Sequence, residues 1–194
     1  MIADVLAPWK KPRSVSVQGK FILVDQDGKR VADLDVKKLA SSAHRSLQTH
    51  AGSVTIYLDY GKIKAFRSGA CMVFGTKDCR SKQDVRTKVV KQFTRWLKLL
   101  GMKYRASGLA ITQRTCQFNL GRPVDLDAIF EAMPQIVQYN KELDATRVVI
   151  SLQDSGATVR VTNHGWALIT AKGGGHGLQH VASNVKSLVS EYYI

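Results

Sequence analysis

Hydrophobic positions along this chain alternate between a period of two and a helical period, twice over. Lys20 to Asp25 reads as a short strand built on Phe21-Ile22-Leu23-Val24, and Asp27-Gly28 signals a turn. Asp33 or Asp35 can cap a helix running to about Thr49, with Val36, Leu39, Ala40, Ala43 and Leu47 on one face. From Ser53 the period becomes two: Val54, Ile56 and Leu58 alternate with Thr55, Tyr57 and Asp59. Tyr60-Gly61 turns, Lys62 to Arg67 returns, Ser68-Gly69 turns again, and Ala70 to Gly75 makes a further strand. A long helix then spans about Ser81 to Leu100. Val85, Val89, Phe93, Trp96, Leu97 and Leu100 form its apolar stripe, and Gly101 stops it.

The second half repeats the order. Tyr104 to Asn119 holds a strand, and Asp125 or Asp127 caps a helix carrying Ile129, Phe130, Met133 and Val137. Thr146 to Leu152, Ala157 to Thr162 and Trp166 to Ala171 are strands joined by turns at Ser155-Gly156 and Asn163-His164-Gly165. A last helix begins near Gly177 with Leu178, Val181, Val185, Leu188, Val189 and Tyr192 as its stripe. One motif echoes the duplication. Gly28-Lys29-Arg30-Val31-Ala32-Asp33-Leu34-Asp35 and Gly121-Arg122-Pro123-Val124-Asp125-Leu126-Asp127 share a Gly, a basic residue, a spacer and Asp-Leu-Asp. Each unit is thus strand, helix, three antiparallel strands, long helix. Two such units joined at a sheet edge give an α+β fold: one twisted antiparallel sheet of about ten strands, helices on one side, the other side open. The expected division is a basic tail over residues 1–17, one repeat over 18–101 and another over 102–194.

Charge sharpens this picture. The 194 residues carry a net charge of +14. Residues 1–101 supply 20 Lys/Arg against 8 Asp/Glu, and the remainder only 9 against 7. A surplus of this size favours polyanions, nucleic acid first. No apolar run approaches the roughly 18 residues that span a bilayer, so no membrane partner is expected. Nothing near Met1 has a signal peptide's apolar core. Three cysteines, Cys71, Cys79 and Cys116, stand at no metal-ligand spacing and suit a reducing, intracellular compartment.

Enzymatic chemistry finds little support. No Ser/His/Asp or Cys/His set is tied to any motif, so the chain reads as a non-enzyme. Ala171-Lys172-Gly173-Gly174-Gly175-His176-Gly177 lacks the Lys-Ser/Thr pair of a phosphate-binding loop and reads as a connector. His176 and His180 have no third ligand nearby in sequence, so neither metal nor cofactor is expected. The aspartates at 33, 35, 125 and 127 recur at helix starts, which marks them as caps rather than a catalytic pair.

Phe118-Asn119-Leu120-Gly121-Arg122-Pro123-Val124-Asp125-Leu126-Asp127-Ala128-Ile129, with Tyr139-Asn140 beyond it, resembles the first strand and helix of the TATA-box-binding protein family. Phe66-Arg67-Ser68-Gly69 followed by Gly75-Thr76-Lys77 resembles the family's Phe-Ser-Ser-Gly and Gly-Ala-Lys at the same spacing. The resemblance implies a saddle of two repeats, its concave sheet on the minor groove of double-stranded DNA. It implies a general transcription-initiation factor, working in the nucleus or at a site of viral transcription. Partners would be TFIIB-like or TFIIA-like transcription factors and the RNA polymerase machinery, met through the convex helices.

Carried over by strand alternation, the DNA-facing residues are Lys64, Phe66, Ser68, Ala70, Met72 and Phe74 in the first unit. In the second they are Arg160, Thr162, His164, Trp166, Leu168 and Thr170, joined by Gln113 and Thr115. Apolar contact with a few amides and hydroxyls suits the degenerate acceptor pattern of the minor groove. On the long basic helix Arg86, Lys88, Lys91, Arg95 and Lys98 would meet a partner. Of the family's four wedge aromatics only Phe66 is reproduced: Thr162 replaces one, and the positions near Ser53 and Ala145 are not aromatic. That loss also fits a protein-interaction platform on the same fold that no longer reads DNA sequence.

Overall fold

A computed structural model describes residues 13–43, 46–49, 52–173 and 177–194. The described chain divides into two compact units, Val15–Arg114 and Thr115–Ile194. They are called here the first and the second unit.

The first unit opens with strand β1 (Arg13–Val24) and helix α1 (Val36–Ser42). Four strands come next: β2 (Ser46–Thr49), β3 (Ser53–Leu58), β4 (Gly61–Phe66) and β5 (Ala70–Phe74). A long helical stretch then runs through α2 (Lys82–Asp84), a π-helical segment (Val85–Val90) and α3 (Lys91–Leu99). Strand β6 (Arg105–Asn119) passes from this unit into the next. The second unit adds helix α4 (Leu126–Ala132), strands β7 (Val137–Gln138), β8 (Arg147–Leu152), β9 (Ala157–Thr162) and β10 (Trp166–Lys172), and helix α5 (Leu178–Val189). Strand order is β2-β3-β4-β5-β1-β6 on the first side of β6 and β6-β10-β9-β8-β7 on the second. Every pairing with a defined register is antiparallel.

Each unit has its own core on one face of its strands. In the first, Val17, Phe21, Leu23, Val54, Ile56, Ile63 and Val73 meet Val36, Leu39, Val89, Phe93 and Leu97 of the helices. In the second, Cys116, Phe118, Val148, Ile150, Val159, Val161 and Ile169 meet Ile129, Val181, Val185 and Val189. The long helix is terminated as its sequence predicts. Ser81 and Asp84 form a reciprocal cap at its start. At its end Gly101 takes φ +77°, its N–H bonds Lys98 O at 3.0 Å, and Met102 N–H bonds Leu97 O at 3.0 Å. That pair of bonds is a Schellman ending.

The duplication is written in the hydrogen bonds. Leu23 N donates to Gly69 O, and Leu120 N to Gly165 O, both at 2.8 Å. Arg67 N donates to Gly52 O at 2.8 Å, and Asn163 N to Thr146 O at 3.0 Å. Leu34 N donates to Arg67 O at 2.7 Å, and Val124 N to Asn163 O at 2.9 Å. Asp35 accepts from Lys38 N at 2.9 Å and Asp125 from Ala128 N at 3.0 Å, so these two are the matching caps. The echo of Asp-Leu-Asp is therefore displaced: Asp125 corresponds to Asp35, not Asp33. The other two aspartates bind cations instead, Asp33 to Arg67 and Asp127 to Lys141.

Three boundaries differ from the sequence expectation. The first strand begins at Arg13, well before Lys20. The first helix stops at Ser42, where Ala43 is already extended, and Leu47 lies in β2 rather than on the helix. Backbone pairing of β2 with β3 outweighs the local helical pattern there. Val137 is likewise in a strand, opposite Ile150. Pro134 cannot continue α4, and Met133 leaves the helical region at φ −136°.

Candidate nucleic-acid interface

Alternation decides which side chains each strand presents away from the helices. In β4, Ile63 and Ala65 are buried, so Lys62, Lys64 and Phe66 point to the opposite face. In β5, Cys71 and Val73 are buried and Ala70, Met72 and Phe74 face out, Met72 with 46% of its surface exposed. Cross-strand registry joins these into one patch. Lys64 lies opposite Met72, Lys62 opposite Phe74, and Lys20 of β1 on the other side of Met72. Among the described residues, the helices of this unit pack on the opposite face. Lys64 Nζ rests 5.3 Å from the Phe66 ring centroid, and Lys62 Nζ 4.7 Å from that of Tyr57. The ammonium groups are thus held among aromatic faces, in reach of solvent.

The second unit repeats the arrangement with different chemistry. Val159 and Val161 of β9, and Ala167, Ile169 and Ala171 of β10, are buried. Arg160, Thr162, Trp166, Leu168 and Thr170 therefore face away from the core, with Thr158 and Lys172 beside them. Leu168 lies opposite Arg160, and Thr170 opposite Thr158. Arg147 and Val149 of β8 extend the patch.

Three expected face residues sit elsewhere or at a transition. Ser68 and His164 occupy the turns after β4 and β9, not the strands, because each chain reverses at a following glycine. Those glycines, Gly69 and Gly165, have φ +72° and +76°. A Cβ on Gly69 would fall on the carbonyl oxygen of Val31, and one on Gly165 on that of Arg122, so both turns need glycine. In β6 the buried set changes phase. Leu109 and Ile111 join the first core, while Cys116 and Phe118 join the second. Thr115 alternates with Cys116 onto the open face, whereas Gln113 stands where the phase changes.

The helix side carries a separate basic groove within the first unit. It has a volume of about 990 Å³, and Arg86, Lys91, Arg95 and Lys98 form one wall. Lys103 and Arg105 line the other, with Val90, Ala106 and Tyr104 as apolar floor and Asp25 the carboxylate. Lys88, expected with this set, turns away. Its Nζ donates to Asp78 O at 2.7 Å and lies 5.6 Å from the Tyr60 ring.

Sequence reasoning missed Lys20, Tyr57, Lys62, Thr158 and Lys172 on the open faces, though the same alternation extended by one pleat identifies each. Lys103 and Arg105 in the groove had no sequence signal, since they reach it only through tertiary contact. Among the described residues no three metal-ligating side chains converge. His176 lies outside the described residues, and His180 Nε2 contacts Asn184 Nδ2 at 3.3 Å. Burial pushes the Cys71 thiol far up and the Cys116 thiol up to about 11, which leaves both inert at neutral pH. No helix among the described residues is long and apolar enough to cross a membrane.

The architecture is the TATA-box-binding-protein-like α+β fold. Among solved structures the chain is similar to the Methanococcus jannaschii TBP, with a TM-score of 0.73 over 94% of this chain and 99% of that one. Sequence identity is 18%, so the likeness is one of fold. No protein-family profile matches the chain. No curated protein matches it by sequence.

Proposed function

We propose that this protein binds duplex DNA through the open sheet face of its two units and acts in transcription initiation. One observation carries the reading. Among the described residues, the face away from the helices in both units interleaves cations with large apolar and hydroxyl side chains. Lys62, Lys64, Phe66, Met72 and Phe74 do so in the first, Arg160, Thr162, Trp166, Leu168 and Thr170 in the second. Cations neutralise phosphates, and apolar and hydroxyl groups suit the minor groove, whose acceptor pattern is degenerate. The basic groove lined by Arg86, Lys91, Arg95 and Lys98 is the proposed dock for further transcription proteins.

A second reading, a protein-interaction platform without DNA recognition, is favoured by the strand ends. Ser53 lies opposite Phe66, and Arg147 opposite Thr162, so only one of these four positions is aromatic. Anisotropy of a labelled random duplex at low salt separates the two. Binding that weakens steeply with salt and falls in Phe66→Ala supports the DNA reading. Absence of binding at about 50 mM salt, where phosphate contacts are strongest, supports the platform.

A further inference from the structure

At the turn end of the matching hairpin, the two open faces carry a large aromatic on opposite strands. The β4–β5 register places Lys64 opposite Met72, which brings Phe66 opposite Ala70. The β9–β10 register places Arg160 opposite Leu168, which brings Thr162 opposite Trp166. The matching hydrogen bonds of the two units make Phe66 the counterpart of Thr162, and Ala70 that of Trp166. A large–small pair in the first unit is therefore small–large in the second. The exchange conserves bulk at the end of the hairpin and moves it across by one strand, about 4.8 Å.

Thr162 is tied into this exchange. Its Oγ1 accepts from Trp166 N at 3.1 Å and donates to Trp166 O at 3.3 Å. The hydroxyl is spent on the backbone that carries the indole. Trp166 keeps 45% of its surface exposed, and its neighbours Ala167 and Ile169 are fully buried. A large aromatic at the start of a strand whose inward residues are buried, yet itself left open, is a costly thing to present to water.

We propose that Trp166 is the base-contacting aromatic of the second unit, taking the role that Phe66 has in the first. The proposal rests on the DNA reading above. The indole stacks on or wedges between bases, and Thr162 positions it. Because the probe sits on β10 rather than β9, the second unit meets a base step offset from the one its pseudo-symmetric counterpart would select.

The test uses the full chain and a labelled A·T-rich duplex, with circular dichroism confirming that each variant is folded. Trp166→Ala is expected to weaken binding about tenfold or more, the scale of a lost base–aromatic stack. Trp166→Phe should stay within about threefold, since it keeps a stacking face. Duplex should quench wild-type tryptophan emission, and that quench should vanish in Trp166→Phe. Thr162→Phe combined with Trp166→Ala should recover most of the affinity by restoring the first unit's arrangement. If Trp166→Ala binds like wild type while Lys62→Ala/Lys64→Ala is weakened, Trp166 is no probe and DNA binding stands. A quench that persists in Trp166→Phe also overturns the assignment. A swap variant no better than Trp166→Ala overturns the equivalence of the two strand positions. If wild type binds no duplex at low salt, this inference falls together with the reading beneath it.

Discussion

Removing Lys62 and Lys64 together should change the salt dependence of duplex binding by a calculable amount. Among the described residues the open faces present six cations: Lys20, Lys62 and Lys64 in the first unit, Arg147, Arg160 and Lys172 in the second. Each phosphate neutralised adds about −0.9 to the slope of log K against log salt, so six contacts give about −5. Arg147 is paired with Asp144 at 2.6 Å and exchanges one anion for another, which leaves the sum near −5. Between 50 and 200 mM salt, affinity then falls about 10³-fold. Lys62→Ala/Lys64→Ala should make the slope shallower by about 2 and reduce that loss to about 10²-fold. Lys91→Ala/Arg95→Ala, in the helix groove, removes equal charge from the other side of the unit and should leave the slope unchanged. Anisotropy titrations at four or more salt concentrations measure both. Equal slopes for wild type and Lys62→Ala/Lys64→Ala, or a slope altered only by the groove variant, would refute the assignment of DNA to the open face.

Three further outcomes follow from the fold. Gly165→Ala combines positive-φ strain of about 1–2 kcal/mol with an obstruction by a backbone carbonyl worth about 1–3 more. Gly156→Ala has φ +58° but nothing within 4 Å, so it carries only the strain; thermal melts should rank Gly165→Ala clearly lower. Asp35→Ala and Asp125→Ala each remove a helix cap and should cost about 1 kcal/mol in denaturant unfolding, and Asp33→Ala less, since its partner Arg67 is exposed. Cys116 has its pKa raised by burial from 9.0 to about 11. The unfolded thiol therefore ionises first, so stability is intact below pH 9.0 and declines as pH rises toward 11. Native protein should accordingly resist a thiol reagent at pH 8 that labels the denatured chain at once.

Much of the open face was legible because strand periodicity is a local property. Val54-Ile56 and Val159-Val161 alternate so regularly that the outward set follows from knowing which set is apolar. Helix ends were legible where a capping residue or glycine performs the termination itself, as Ser81 and Gly101 do. Competition between local and non-local pairing was not. Ala40, Ala43 and Leu47 fit a helical stripe, yet β3 offers Leu47 backbone partners through β2, and the longer-range pairing wins. The exchange between Phe66–Ala70 and Thr162–Trp166 was also hidden, since it requires register as well as alternation. Ser68 and His164 were assigned to a face by counting pleats through a turn, where the period of two no longer applies.

Lysine reactivity with and without duplex tests the central claim most directly. Reductive methylation followed by mass spectrometry reports each ammonium group separately. Bound duplex should protect Lys62, Lys64 and Lys20 while Lys91 and Lys98, in the groove beside the long helix, react as in the free protein. Protection of Lys91 and Lys98 with Lys62 and Lys64 left reactive would place the DNA against the helices and contradict the account.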